Sequence, residues 1–355
     1  MPTVAYETWT PNPVHAEMIR QANRLCRSYA QAGYNPTLRQ LYYRFVAMDL
    51  FPDDRRWRNA NGRWVRDPNG TKNAEPNYHW LGDLLNRARL AGLLDWEHMV
   101  DRLRDSVATA HWDQPEAIVD SAAQSFRLDK WATQDRRVEI WVEKDALSDV
   151  VARVAREYDV AYFACRGYVS QSAQWRAAQR LGEYIAGGQA VTILYLGDHD
   201  PSGLDMTEDI TGRLKKFLWR DWFNQHADRF GRRATVGEII EHMAERVEDP
   251  TPFEVLRIAL NMDQIDEYQP PPNPTKLTDS RASKYIEEYG HDCWELDALP
   301  PEVLADLIRA ELDGIRHVAR YEEIEAAEDE HRRLLDLVAA RWDDVVRFLD
   351  TGTTA

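Results

Sequence analysis

Ala190-Val191-Thr192-Ile193-Leu194-Tyr195-Leu196-Gly197-Asp198-His199-Asp200-Pro201-Ser202-Gly203 is the stretch that decides the fold. Its first seven residues are aliphatic, β-branched or aromatic almost without interruption, the composition of a strand buried on both faces. Gly197, Asp198, His199, Asp200, Pro201 and Ser202 follow, and a third helix is expected from about Gly203. Upstream, Val138–Val142 and Val160–Phe163 are shorter runs of the same kind, separated by helical spacing over 146–158 and 172–186. Strands alternating with helices predict an α/β domain, a parallel sheet with helices on both faces. Such folds place their chemistry at the carboxyl ends of the strands.

The chain has 355 residues, more than one compact core usually holds. Apolar residues make up 44% and charged residues 29%, a globular composition. The mean hydropathy is −0.60, no apolar run is long enough for a membrane span, and no secretory signal opens the chain, so a cytoplasmic protein without a membrane partner is expected. Cys26, Cys165 and Cys293 are too far apart for a zinc or disulfide framework.

The net charge of −16 argues against nucleic acid only until it is divided. Residues 14–110 hold 15 Lys and Arg against 11 Asp and Glu, a net of +4, which leaves −20 for the rest. Arg55, Arg56, Arg58, Arg63, Arg66 and Lys72 fall in one Gly/Asn/Pro-rich stretch with Trp57 and Trp64. That mixture suits phosphate contact and base stacking, and equally a solvated loop. Helical spacing over 14–34, a Thr37/Gln40 capping box opening the run Leu38, Leu41, Tyr42 and Phe45, and a third helix over 78–91 lead us to expect residues 14–110 to be a winged-helix-like DNA-binding module, although a helix-turn-helix or any small helical bundle would show the same periodicity. An amphipathic helical linker over 111–136, the α/β domain with its extension over 137–299, and one long charged helix within 300–355 complete the chain.

Two acidic positions stand where an α/β fold does chemistry. Glu143 follows the first strand; Asp198 and Asp200, spaced i and i+2, follow the strongest one and can face one ion if the segment is extended. Hard oxygen ligands of this kind suit Mg²⁺, with Mn²⁺ as a substitute. The alternative is that the acids cap the following helices.

A strand ending in Glu143-Lys144, then one ending in Gly197-Asp198-x-Asp200-Pro201-x-Gly203, resembles the Toprim domain of the topoisomerase VI A subunit and the related meiotic double-strand-break proteins. Thr37-Leu38-Arg39-Gln40-Leu41-Tyr42-Tyr43 is similar to that family's Arg-x-hydrophobic-Tyr-Tyr motif, and Trp294-Glu295-Leu296-Asp297 to its C-terminal block. His199 between the aspartates, and Arg166-Gly167-Tyr168-Val169 in place of Lys-Gly-Tyr-Pro, depart from the family pattern. The resemblance implies Tyr43 as nucleophile, with Arg39 and Lys144 as catalytic partners and Arg44 and Arg166 among the DNA contacts. It also implies a homodimer in which the tyrosine of one protomer works with the metal of the other. Tyr42 lies on the apolar stripe, and Tyr43 is expected to point about 100° away from it.

The expected function is metal-dependent cleavage of double-stranded DNA by tyrosine transesterification. There is no Walker A run, so strand passage would need a separate ATPase subunit. A Toprim nuclease or defence effector using activated water, and a non-catalytic DNA-binding module, are the alternatives.

Overall fold

A computed structural model describes residues 5, 7–60, 62–99, 111–230 and 253–352. The helices are α1 (Pro13–Gln31), α2 (Leu38–Ala47), α3 (Glu75–Leu90), α4 (Pro115–Ser125), α5 (Ser148–Glu157), α6 (Gln171–Ala186), α7 (Pro201–Phe230), α8 (Met262–Tyr268), α9 (Ala282–Tyr289), α10 (Pro301–Ile315), α11 (Val318–Ala340) and α12 (Trp342–Thr351). The strands are β1 (Trp57–Ala60), β2 (Arg63–Arg66), β3 (Arg136–Val142), β4 (Ala161–Ala164), β5 (Ala190–Leu196), β6 (Phe253–Ala259), β7 (Asn273–Pro274) and β8 (Asp292–Cys293).

The central sheet is parallel, in the order β4-β3-β5-β6. Side chains alternate across it with period two. Val138, Ile140 and Val142 of β3 and Leu194 and Leu196 of β5 pack with α5 and α10 on one face. Trp141, Ile193 and Tyr195 pack with α6 and α7 on the other. The connection leaving β3 runs through α5 to β4, and the one leaving β5 runs through α7 toward β6 on the opposite side. The carboxyl ends of β3 and β5 therefore flank a topological switch point, where an α/β sheet opens a crevice.

The described N-terminal helices share a separate core built from Met18, Ile19, Leu25, Leu41, Phe45, Leu81 and Leu85. Its tail, residues 100–110, lies outside the described residues. The Thr37 capping box is present: Thr37 accepts from the Gln40 amide, and Gln40 reaches back to the Thr37 amide.

Four expectations need correcting. The basic stretch is a hairpin: β1 and β2 pair antiparallel, Trp57 bridges to Thr71, and Gly62 holds φ +81°, a left-handed conformation that favours glycine. A fourth parallel strand, β6, was not expected, because Glu254 and Arg257 interrupt its apolar run; it is an edge strand and can expose alternate residues. The linker helix stops at Ser125, where the Leu128 amide turns to Glu328 of α11 and Trp131 enters the sheet core. The single C-terminal helix is three: the break after α10 falls where Gln134 clamps the His317 backbone from both sides and the His317 ring caps α11, and a second break at Arg341 separates α11 from α12. Among the described residues, no helix is long and apolar enough to cross a membrane.

Candidate functional site

At the switch point β5 ends at Leu196, and from Gly197 the chain passes over the end of β3. The Glu143 carboxylate accepts the Asp198 amide at 2.9 Å. This close approach explains the two glycines. A Cβ on Gly197 would lie 3.0 Å from Glu143 Oε2, and one on Gly203 would lie 2.2 Å from the Asp198 carbonyl.

Arg257 of β6 locks the turn from behind. Its guanidinium donates to the carbonyls of Gly197 at 2.9 Å, Asp198 at 2.5 Å and Gly203 at 3.2 Å, and to Thr207 Oγ1 at 2.7 Å. Sequence reasoning missed this residue. Its only signal was a lone arginine in a strand-like run.

The segment Trp294–Asp297 then docks on the turn. His199 and Trp294 exchange backbone hydrogen bonds, and the Leu296 amide donates to Asp198 Oδ1 at 2.8 Å. The result is a carboxylate group different from the one expected. Asp198, Glu295 and Asp297 bring ligand oxygens within 4.8 Å of one another, a hard donor set that could hold a metal ion. Glu143 turns Oε2 to the Asp198 amide and does not belong to this group of three. Asp200 is the N-cap of α7 and turns Oδ1 to the Gly203 amide at 2.6 Å, so the capping alternative describes it. The i, i+2 argument failed because the helix begins one residue after Asp200.

Two cations occupy the same cluster. Lys144 Nζ lies 2.8 Å from Asp198 Oδ1 and 2.6 Å from Asp297 Oδ1 and contacts Glu295 Oε2; Arg39 of α2 pairs with Glu295 and stands 2.9 Å from Asp297 Oδ2. Burial pushes the Glu295 carboxyl up, but Lys144 and Arg39 outweigh it and hold the group down at about 2. Burial, together with the carboxylates of Glu143, Asp297 and Glu295, drives Asp198 up against the pull of Lys144. The acids here outnumber the cations.

Tyr43 lies beside this cluster, with the Arg39 guanidinium 5.9 Å from its ring centroid. Its hydroxyl accepts from Asn273 Nδ2 at 3.3 Å, and the same amide stands 3.5 Å from Glu295 Oε1. Tyr43 is only 4% exposed, and burial, reinforced by Glu295, raises its phenol above the ordinary range. Tyr42 is equally buried, but it is tied elsewhere: it accepts from the Ala74 amide at 2.7 Å and reaches Asn73 Oδ1 at 2.9 Å. Arg44 does not join the cluster; its charge is felt at the Tyr29 phenol.

The proposed nucleic-acid surface is largely rearranged. Lys72 is buried between Asp49 and Asp53, at 2.8 and 2.9 Å, and cannot serve as a phosphate contact there. Arg55 stacks 3.8 Å from the Trp80 ring centroid and donates to Asn77; Arg66 lies over Trp57 at 4.2 Å. Burial, then Arg66, pushes Arg55 down to about 10. Arg56 reaches the Gly70 carbonyl at 3.3 Å, and Arg58 pairs with Asp67 at 2.8 Å. Of the six, Arg63 alone, beside the hairpin turn, has no side-chain partner among the described residues. Arg166, at the end of β4, is exposed and stands 3.2 Å from Asp145.

Neither a family model, nor a curated protein, nor a solved structure matches this chain.

Proposed function

We propose that this chain is a Toprim-type, metal-dependent DNA-cleaving enzyme whose winged-helix-like module carries the nucleophile. One observation carries the reading. Arg39 and Tyr43, from a helix of the N-terminal module, converge with Lys144, Asp198, Glu295 and Asp297 at the switch point of the sheet. An ordinary domain contact has no need to gather three carboxylates, two cations and a phenol there.

Asp198, Glu295 and Asp297 fit a hard divalent cation, Mg²⁺ or Mn²⁺, in donor chemistry, and Asp297 Oδ2 is a buried acceptor without a hydrogen-bond partner. Such an ion would supply stabilisation of charge building on a phosphodiester. The chain's own groups do the rest. Arg39 and Lys144 neutralise phosphate charge, while Arg63 and Arg166 hold the flanking backbone. The Tyr43 oxygen attacks phosphorus, the phosphorus–oxygen bond to the leaving strand breaks, and the phenolic proton is lost as the leaving oxygen gains one. A homodimer would cut both strands, and a separate ATPase subunit would be needed for strand passage. Within one chain, Asn273 links the Tyr43 hydroxyl to Glu295.

Burial of Tyr43 favours a second reading, in which activated water hydrolyses the phosphodiester and the phenol is structural. Denaturing a reaction of end-labelled duplex DNA with Mg²⁺ separates the two. Protein-linked label that disappears in Tyr43→Phe supports transesterification. Cleavage without protein-linked label, unchanged in Tyr43→Phe, establishes hydrolysis instead.

A further inference from the structure

Lys144 Nζ lies within ion-pair distance of all three triad carboxylates and donates hydrogen bonds to Glu295 Oε2 and Asp297 Oδ1. Arg39 is the second counter-ion, but its fit is poorer. Its Nε stands 2.9 Å from Asp297 Oδ2 without hydrogen-bond alignment, which leaves that buried oxygen and the Nε both without a hydrogen-bond partner. Lys144 carries its charge on a flexible four-carbon arm, whereas Arg39 presents a planar fork. Of the two, the ammonium sits on the arm that can swing aside by rotation about its own bonds.

Resting on the metal reading above, we propose that Lys144 is the exchangeable counter-ion of the acidic triad, and that a divalent cation displaces it and frees it to hold phosphate. The same oxygens cannot serve both. With Lys144 seated and all three carboxylates ionised, three negative charges face two cations and the cluster is net −1. With a divalent ion in place and Arg39 retained, the carboxylates are neutralised and the released ammonium makes the face net +1. Metal binding thus turns a surface that repels DNA phosphate into one that attracts it, and the two ligands help each other bind.

Amine acylation of the wild-type chain, read by mass spectrometry, tests the exchange directly. Lys144 should be nearly unreactive alone and several-fold more reactive with MnCl2; unchanged labelling in the presence of bound Mn²⁺ overturns the proposal. Calorimetric titration with MnCl2 gives the second arm. Lys144→Met removes the competitor, so it should bind Mn²⁺ on the order of tenfold more tightly than wild type. Equal or weaker binding refutes the exchange while leaving the metal reading intact. If wild type and variant both bind no Mn²⁺, the metal reading itself falls, and the exchange falls with it.

Discussion

Deleting either hydroxyl of the Tyr42-Tyr43 pair should give opposite phenotypes, and the structure sets their sizes. The phenol of Tyr42 is the acceptor for the Ala74 amide, and Ala74 occupies the N-cap of α3. Tyr42 does not replace a side-chain cap there; its hydroxyl satisfies the buried amide of Ala74 itself. Tyr42→Phe leaves this N–H buried at a residue 3% exposed, and also strips a donor from Asn73. An unsatisfied buried amide costs about 1–3 kcal/mol. At a urea slope of about 3 kcal/mol per molar, a 2 kcal/mol loss lowers the unfolding midpoint by about 0.7 M. Tyr43→Phe gives up only a 3.3 Å hydrogen bond from Asn273, which keeps its other partner Asn73 at 2.8 Å, so its midpoint should move by less than about 0.3 M. Urea unfolding followed by tryptophan fluorescence measures both, and labelled-DNA cleavage is assayed on the same samples. Tyr42→Phe should be destabilised yet retain cleavage under native conditions; Tyr43→Phe should be stable and inactive. A Tyr42→Phe midpoint equal to wild type, or a Tyr43→Phe protein that is the less stable of the two, would refute the assignment of these hydrogen bonds.

Two further outcomes follow from buried charge. His199 is enclosed by Tyr285, Tyr289 and Trp294, with Arg257 nearby; burial and then Arg257 lower its imidazole to about 4 from an ordinary 6.5. The unfolded chain therefore takes up the proton first on acidification. Stability should be full above pH 6.5 and fall as pH drops from 6.5 toward 4, by up to about 3 kcal/mol; His199→Gln should lose that part of the slope, and identical profiles would dismiss it. On the hairpin, neutralising Arg58 and Arg63 should weaken duplex binding and flatten its salt dependence by about one unit for each phosphate no longer held, whereas Lys72→Met should leave the slope unchanged. A lower slope in Lys72→Met would show that the Asp49 and Asp53 pairs open on DNA.

The sequence by itself determined the layered α/β core, because local signals agree there with the tertiary answer. The near-continuous apolar runs of β3 and β5, buried on both faces, and the capping box of α2 are set within a few residues. It also placed Asp198, Lys144, Arg39 and Tyr43 among the residues to watch. The hairpin was legible in principle from Asn61-Gly62 between two short runs, and the arginine-rich composition concealed it.

Which carboxylates share a site was decided only by the tertiary structure. Glu295 and Asp297 lie about a hundred residues beyond Asp198; Trp294–Asp297 stood out as a motif, but its pattern does not report that a backbone bridge from Trp294 to His199 brings those carboxylates to Asp198. Spacing along a chain orients side chains only while the segment stays regular, and the helix that begins at Pro201 takes Asp200 as its cap before the i, i+2 rule can act. Likewise, six basic residues in one stretch read alike on paper. Burial against Asp49 and Asp53, stacking on Trp57 and Trp80, and exposure beside the turn gave them different roles, because charge in a sequence has no address until a core decides which side of it faces water.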